Sequence, residues 1–223
     1  MSGVIVFDAY GTLFDIHGAA RIAAQRHPRL ATVWPRVSDD WRRKQLEYAW
    51  LRTLAGDPAT FWTVTEDALD WTLAAHHLAD APLRDELLSL YRRLPAYPEV
   101  ALTLDRLGSR GWRRAILSNG NAAMLEDAVA SAGIGGLLDA VLSVEDAGCF
   151  KPHPAAYALA TAHFSCPAAE IVFVSANGWD VYGATRFGCR AVWVNRAAVP
   201  PDNLPASPIM TLPDLIHLPE VLP

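Results

Sequence analysis

The chain reads as an α/β protein: a doubly wound parallel sheet core with a helical cap subdomain inserted near its start. Three observations predict this. Short apolar runs alternate with helical patterns from Glu99 onward. Residues 15 to about 97 break that rhythm, with helical patterns and little strand signal. Two polar clusters, Asp8-Ala9-Tyr10-Gly11-Thr12 and Ser175-Ala176-Asn177-Gly178-Trp179-Asp180, each follow an apolar run. Short all-apolar strands alternating with helices are the pattern of a parallel sheet covered on both faces.

The elements follow in order. Val4 to Phe7 is wholly apolar and joins the sheet by that character. Within the insert, Asp39 to Leu54 and Thr60 to Ala75 read as amphipathic helices, and Leu83 to Arg93 as a third. Five of the eight tryptophans (Trp34, Trp41, Trp50, Trp62 and Trp71) lie here, and most are expected to form the insert's own core. Pro95 to Pro98 is the expected return hinge. Arg113 to Leu117 is a predicted strand, Ala122 to Ala132 a helix, Ala140 to Ser143 a strand and Pro154 to His163 a helix. Ile171 to Ser175 is a strand, Trp179 to Phe187 a helix and Ala191 to Val194 a strand. The tail from Pro200 is rich in proline and carries no recognisable chemistry. The expected division is a core of residues 1–14 and 98–223 and a cap of 15–97. Parallel sheets bind ligands at the carboxyl ends of their strands. Asp8, Ser118 and Ser175 all lie just past strand ends, so they can converge.

Composition narrows the function. With 223 residues, 52% of them hydrophobic, the chain can bury a real core. The net charge is -5, the pI is near 5.8, and no block of like charge occurs. Neither nucleic acid nor a membrane surface is therefore an expected partner. No apolar run approaches the 18 residues of a membrane span. Asp8 interrupts the only early apolar run, which reads as a strand rather than a signal peptide. Cys149, Cys166 and Cys189 are odd in number and lack CxxC spacing. They predict reduced thiols, a cytoplasmic protein, and neither a zinc site nor a disulfide framework. Cys149 lies near a motif but reads as structural.

The polar residues carry the candidate chemistry. Asp8, held where a strand stops, is a nucleophile candidate, since a carboxylate can form a covalent ester with carbon or phosphorus. Its alternative is a turn cap. Thr12 either hydrogen-bonds Asp8 or serves its loop, and Asp15 fits a helix N-cap equally well. Ser118-Asn119-Gly120 suits an anionic oxygen and also suits a helix cap. Lys151, between Phe150 and Pro152, could orient Asp8 or be an ordinary surface lysine. Asp180 could pair with Lys151, which would favour its ionised form, or polarise a water. It could also be an acid in a first helical turn. Trp179 suggests an apolar wall. Arg42 shares a helix face with Leu46, Ala49 and Thr53, so it either points across a cleft or snorkels. Arg43 and Glu47 make an ordinary exposed pair. The Tyr157 ring packs, and its hydroxyl can reach the site.

The set Asp8-Ala9-Tyr10-Gly11-Thr12-Leu13-Phe14-Asp15, Ser118-Asn119-Gly120, Phe150-Lys151-Pro152 and Ser175-Ala176-Asn177-Gly178-Trp179-Asp180 resembles the haloacid dehalogenase superfamily, in spacing and in order, from Val4 to about Arg196. Phosphatases of that superfamily carry a second aspartate at the position of Tyr10. The stretches Trp41 to Tyr48 and Val64 to Leu69 resemble the cap of the type II L-2-haloacid dehalogenases. The resemblance implies a Rossmann-like core, a covalent aspartyl intermediate and no cofactor or metal. It implies a small-molecule haloacid substrate and favours a homodimer. It makes Asp8 the nucleophile and Arg42 the receiver of the leaving halide, with Asn119 and Trp179 completing the halide cradle. Ser118 becomes a ligand of the substrate carboxylate. Thr12, Lys151, Tyr157, Ser175, Asn177 and Asp180 become the remaining polar shell, with Asp180 favoured to activate water. Tyr10, Leu46, Phe61 and Trp179 become the apolar pocket. A magnesium-dependent phosphatase, a fluoroacetate defluorinase and a non-catalytic binding module are the competing readings.

Overall fold

The computed structural model describes residues 3–222. The strands are β1 (Val4–Phe7), β2 (Arg113–Ser118), β3 (Ala140–Ser143), β4 (Ile171–Ser175), β5 (Arg190–Val194) and β6 (Met210–Leu212). They form one sheet in the order β3-β2-β1-β4-β5-β6, every pair parallel. Every residue of β1 and β4 is buried, which is why both are apolar runs, broken only by Ser175 at the end of β4. The order reverses direction at β1, and in such sheets the crevice beyond the carboxyl ends at that switch is where ligands bind. Phe7 pairs in register with Ile116 on one side and Val174 on the other. Asp8, Ser118 and Ser175 therefore leave neighbouring strands at one edge of the sheet.

Residues 15–97, the insert that follows β1, form five helices: α1 (Gly18–Ala23), α2 (Pro28–Ala31), α3 (Trp34–Ala55), α4 (Phe61–Ala75) and α5 (Ala81–Tyr91). The two shortest were not expected from the sequence; four to six residues carry too little periodicity to show. Helix α3 begins at Trp34 rather than Asp39, because Pro35 in its first turn suits a helix start. Its 22 residues span about 33 Å. The Thr60 side chain caps α4 by accepting from the Thr63 amide, and Asp80 caps α5 in the same way from Leu83. Trp41 lies in the insert's core and donates Nε1–H to the Thr65 carbonyl at 2.9 Å. Trp34 and Trp62 pack partly buried against that core. Trp71 instead lies at the surface beneath Lys44, 4.5 Å from its ring, and Trp50 faces out of the insert toward Trp179.

The two segments joining insert to sheet pair with each other. The Asp15 amide donates to the Pro95 carbonyl and the Tyr97 amide to the Leu13 carbonyl, both at 2.9 Å. Arg196, just past β5, ties both segments to the core: it donates to the Thr12 carbonyl at 2.9 Å, pairs with Glu99 at 2.7 Å and stacks 3.7 Å over the Tyr97 ring.

The remaining helices are α6 (Val100–Ser109), α7 (Ala122–Ala132), α8 (Pro154–Phe164), α9 (Gly178–Phe187) and α10 (Leu218–Val221). Helix α6 was passed over in the sequence, although Val100, Leu104 and Leu107 mark its buried face. The proline-rich tail also has structure. It supplies β6 and α10, buries Leu215 and Leu218, and is held by Thr103 Oγ1 donating to the Leu215 carbonyl at 3.1 Å. Among the described residues no helix is long and apolar enough to cross a membrane.

Candidate active site

Asp8 leaves β1 with its amide bonded to the Val174 carbonyl at 2.9 Å, which fixes its backbone to β4. The following loop turns back at Gly11, whose φ of 90° favours glycine. The two carboxylate oxygens of Asp8 have different surroundings. Oδ2 accepts from Asn177 Nδ2 at 2.8 Å, Thr12 Oγ1 at 3.0 Å and, at the limit of bonding distance, Ser175 Oγ at 3.5 Å. Oδ1 accepts from Lys151 Nζ alone, at 3.1 Å. Thr12 also accepts from the Ala176 amide at 2.8 Å, so it serves both the carboxylate and the loop packing.

Lys151 is wholly buried and bridges Asp8 to Asp180, 3.0 Å from Asp180 Oδ2. Asp180 is equally buried and also accepts from Tyr157 Oη at 2.7 Å. It lies in the first turn of α9, so its helix position and its ion pair hold together. Charges 3 Å apart attract by roughly 5 kcal/mol at an effective dielectric of 20. Burying each costs several kcal/mol. For Lys151, burial pulls downward, but two carboxylates outweigh it and its pKa is raised. For Asp180, burial and the like charge of Asp8 outweigh Lys151, and its pKa is pushed up to about 6. The pairing alone predicted a more acidic Asp180; desolvation reverses that direction. Gly183 is required beside this pair, since a Cβ there would strike the Tyr157 hydroxyl and approach Pro152 Cβ to 2.6 Å.

Arg42 does cross from α3 to the sheet edge. It donates to the Tyr10 carbonyl at 3.3 Å, Asn177 Oδ1 at 3.4 Å and Gln45 Oε1 at 2.9 Å. All three acceptors are neutral. Arg43 and Glu47 form the expected surface pair at 3.4 Å. Thr53, on the same helix, accepts from the Phe150 amide at 3.1 Å and so fastens the insert to the loop that carries Lys151.

Tyr10 is buried, stacks on Tyr91 with ring centroids 5.6 Å apart and tilts against Phe61 at 6.2 Å. Its hydroxyl is buried without a hydrogen-bond partner, and burial pushes its pKa well above the ordinary phenol value. Phe61 meets Phe150 edge-on at 5.6 Å. The loop at Gly120 passes so close to the Tyr10 ring that a Cβ would lie 2.8 Å from it. Ser118 is buried and its Oγ accepts from the Gly120 amide at 3.1 Å. Asn119 Oδ1 accepts from the Lys151 amide at 2.9 Å, which leaves its nitrogen for other partners. Trp179 packs edge-on against Trp50 at 5.5 Å, joining α9 to α3. Leu46 is only half-buried, one turn beyond Arg42.

Four contributors were missed in the sequence. Gln45, Tyr91, Arg196 and Trp193, whose Nε1 donates to the Ala176 carbonyl at 3.3 Å, all support the site. Gln45 had a signal: it is the polar member of the stripe Trp41, Gln45, Ala49 that faces the insert's core. Arg196 had one too, since it follows a strand end. Tyr91 and Trp193 had none beyond their apolar surroundings.

Comparison with known proteins shows the family. The family model for haloacid dehalogenase-like hydrolases matches residues 3–188. The chain is 43% identical to (S)-2-haloacid dehalogenase 4A of Burkholderia cepacia over 198 residues, covering 88% of this chain and 84% of that one. It is 39% identical to haloacetate dehalogenase H-2 of Moraxella sp. (strain B), covering 96% of each. A solved L-2-haloacid dehalogenase from Xanthobacter autotrophicus with chloropropionic acid covalently bound superposes with a TM-score of 0.89 at 37% identity, covering 99% of this chain and 98% of that one.

The environment of Asp180 can be tested directly. Carbon-13 NMR of labelled carboxyls should show Asp180 titrating near pH 6, protonated below and ionised above. Tyr157→Phe removes a bond to the ionised form, so the midpoint should move upward. A midpoint near 4 that ignores the substitution would contradict the burial argument.

Proposed function

The chain belongs to the haloacid dehalogenase-like hydrolases, and we propose that it hydrolyses short-chain L-2-haloalkanoic acids to D-2-hydroxy acids through an ester on Asp8. One observation carries the reading. A buried carboxylate at a strand end is joined through Asn177 to an arginine from the insert whose hydrogen-bond acceptors are all neutral.

In this mechanism Asp8 Oδ1, with its single donor, attacks C2 and the halide leaves toward Arg42. Oδ2, held by three donors, becomes the ester carbonyl oxygen. Water activated by Asp180 then attacks the Asp8 carbonyl carbon. The charge that develops falls on Oδ2, where Asn177, Thr12 and Ser175 already point. The Cγ–Oδ1 bond of Asp8 then breaks, the proton taken up by Asp180 goes to the departing hydroxy-acid oxygen, and the C2–O bond survives, so C2 is inverted once. Ser118, Asn119 and loop amides take the substrate carboxylate and halide, and Tyr10, Leu46, Phe61 and Trp179 line the alkyl side. The insert over 15–97 acts as a cap that excludes water, which strengthens Arg42's hold on the halide. Holding the reactants in line is worth roughly 7–11 kcal/mol of the barrier.

Displacement at a saturated carbon generates no oxyanion, so the proposed first step needs no metal. Tyr10 also argues against the phosphatase alternative: a buried phenol stands where that branch carries its second aspartate. The three free cysteines fit a reducing, cytoplasmic setting. Exposed Leu51, Leu54 and Trp71 on α3 and α4 support a homodimer through that face; a monomer mass by sedimentation at micromolar concentration would overturn it.

The direct test of the reaction is halide release from separate enantiomers of 2-chloropropionate with a chelator present. Release from the L form only, abolished in Asp8→Asn, is the expected result. Release from neither enantiomer, with magnesium-dependent phosphate release from an aryl phosphate, would replace this reading with the phosphatase one.

A further inference from the structure

Gln45 is buried on α3, one turn from Arg42, and its amide is bonded at both ends. Oε1 accepts from Arg42 Nη1 at 2.9 Å and from Tyr91 Oη at 3.2 Å. Nε2 donates to Thr65 Oγ1 at 2.7 Å, and Thr65 in turn donates to the Phe61 carbonyl at 2.7 Å. This network fixes which way the amide points. The Thr65 hydroxyl has one proton and spends it on Phe61, so toward Gln45 it can only accept. Gln45 must therefore turn its nitrogen to Thr65 and its oxygen to Arg42.

We propose that Gln45 is a positioning residue for halide departure, holding the Arg42 guanidinium in place through a neutral oxygen so that its positive charge is left for the leaving group. The proposal rests on the reading of Arg42 as the halide acceptor. Arginines elsewhere in the insert, such as Arg26, Arg43, Arg52 and Arg84, are braced by carboxylates. A carboxylate at position 45 would hold Arg42 equally well and cancel its charge. The side chain has to be a long acceptor without charge, and glutamine is that side chain. The same contacts tie the halide-binding group to the pocket wall, because Tyr91 stacks on Tyr10 and Thr65 bonds the Phe61 backbone.

The test measures ester formation on Asp8 by rapid quench, enzyme in excess, with L-2-chloropropionate and L-2-bromopropionate. The proteins are wild type, Gln45→Glu, Thr65→Val and Arg42→Ala. Gln45→Glu should slow ester formation by about 10- to 100-fold, short of the cost of deleting a preorganised donor outright. It should slow the chloro substrate more than the bromo one, because chloride is the poorer leaving group and leans harder on the cation. Hydrolysis of the ester once formed should stay at the wild-type rate. A merely structural defect would slow both halogens and both steps alike. Thr65→Val leaves the Gln45 nitrogen without an acceptor and should show the same halogen signature at about 2- to 10-fold, the effect of one neutral hydrogen bond. A wild-type chloro-to-bromo ratio in folded Gln45→Glu overturns the proposal. Should that variant not fold, the same ratio in Thr65→Val overturns it. Wild-type ester formation in Arg42→Ala is a separate outcome, which removes the underlying reading of Arg42 itself.

Discussion

The Lys151 ammonium lies 3.1 Å from Asp8 and 3.0 Å from Asp180 where water does not reach, and the placement of the other polar residues follows from keeping those charges matched. Two carboxylates and one ammonium leave one negative charge in a buried space, which is costly unless donors surround it. Thr12, Asn177 and Tyr157 are those donors. The same arrangement divides labour between the acids. Asp8 is held at a strand end by bonds from Lys151, Thr12, Asn177 and Ser175. Asp180, deeper and with fewer compensating partners, has its pKa pushed up to about 6, closer to the range suited to moving a proton.

The cation that the insert brings to the sheet edge obeys the opposite requirement. Arg42 is held by oxygens that carry no charge, so its electrostatic pull is not spent within the protein. Paired with a carboxylate, Arg42 would have less charge left for an incoming anion. The core therefore surrounds Asp8 with matched charge, while the insert presents an unmatched arginine. Thr53, Trp50 and Asn177 join the two halves. Arg196 fastens both connecting segments to the sheet, which fixes the distance between cation and carboxylate.

Much of this was legible in the sequence because strand ends are loud. Asp8, Ser118 and Ser175 each follow a buried apolar run, and a parallel sheet brings such ends to one edge. Lys151 and Asp180 were legible as partners, but the direction of Asp180's shift was not, because burial depth is a property of the folded packing. Arg42 stood out as a charge on an apolar face. Gln45, on the neighbouring face and buried, did not, since an uncharged polar residue inside a helix reads as filler until its partners are known. Helices α1, α2 and α6 and the tail's β6 and α10 were missed for a different reason. Most are short, and β6 is stabilised by β5 rather than by its own pattern. The fold's core was local information; its edges and its support network were tertiary.

The central claim is that Asp8 Oδ1 forms a covalent bond to the substrate carbon. A single turnover in heavy-oxygen water, with enzyme in excess over L-2-chloropropionate, tests it most directly, followed by mass analysis of the product and of the peptide containing Asp8. The account predicts label in the Asp8 carboxylate and none in the 2-hydroxy acid, because water attacks the ester carbonyl. Label in the hydroxy acid with unlabelled Asp8 would mean that water attacks C2 itself, and Asp8 would then be a base rather than the nucleophile.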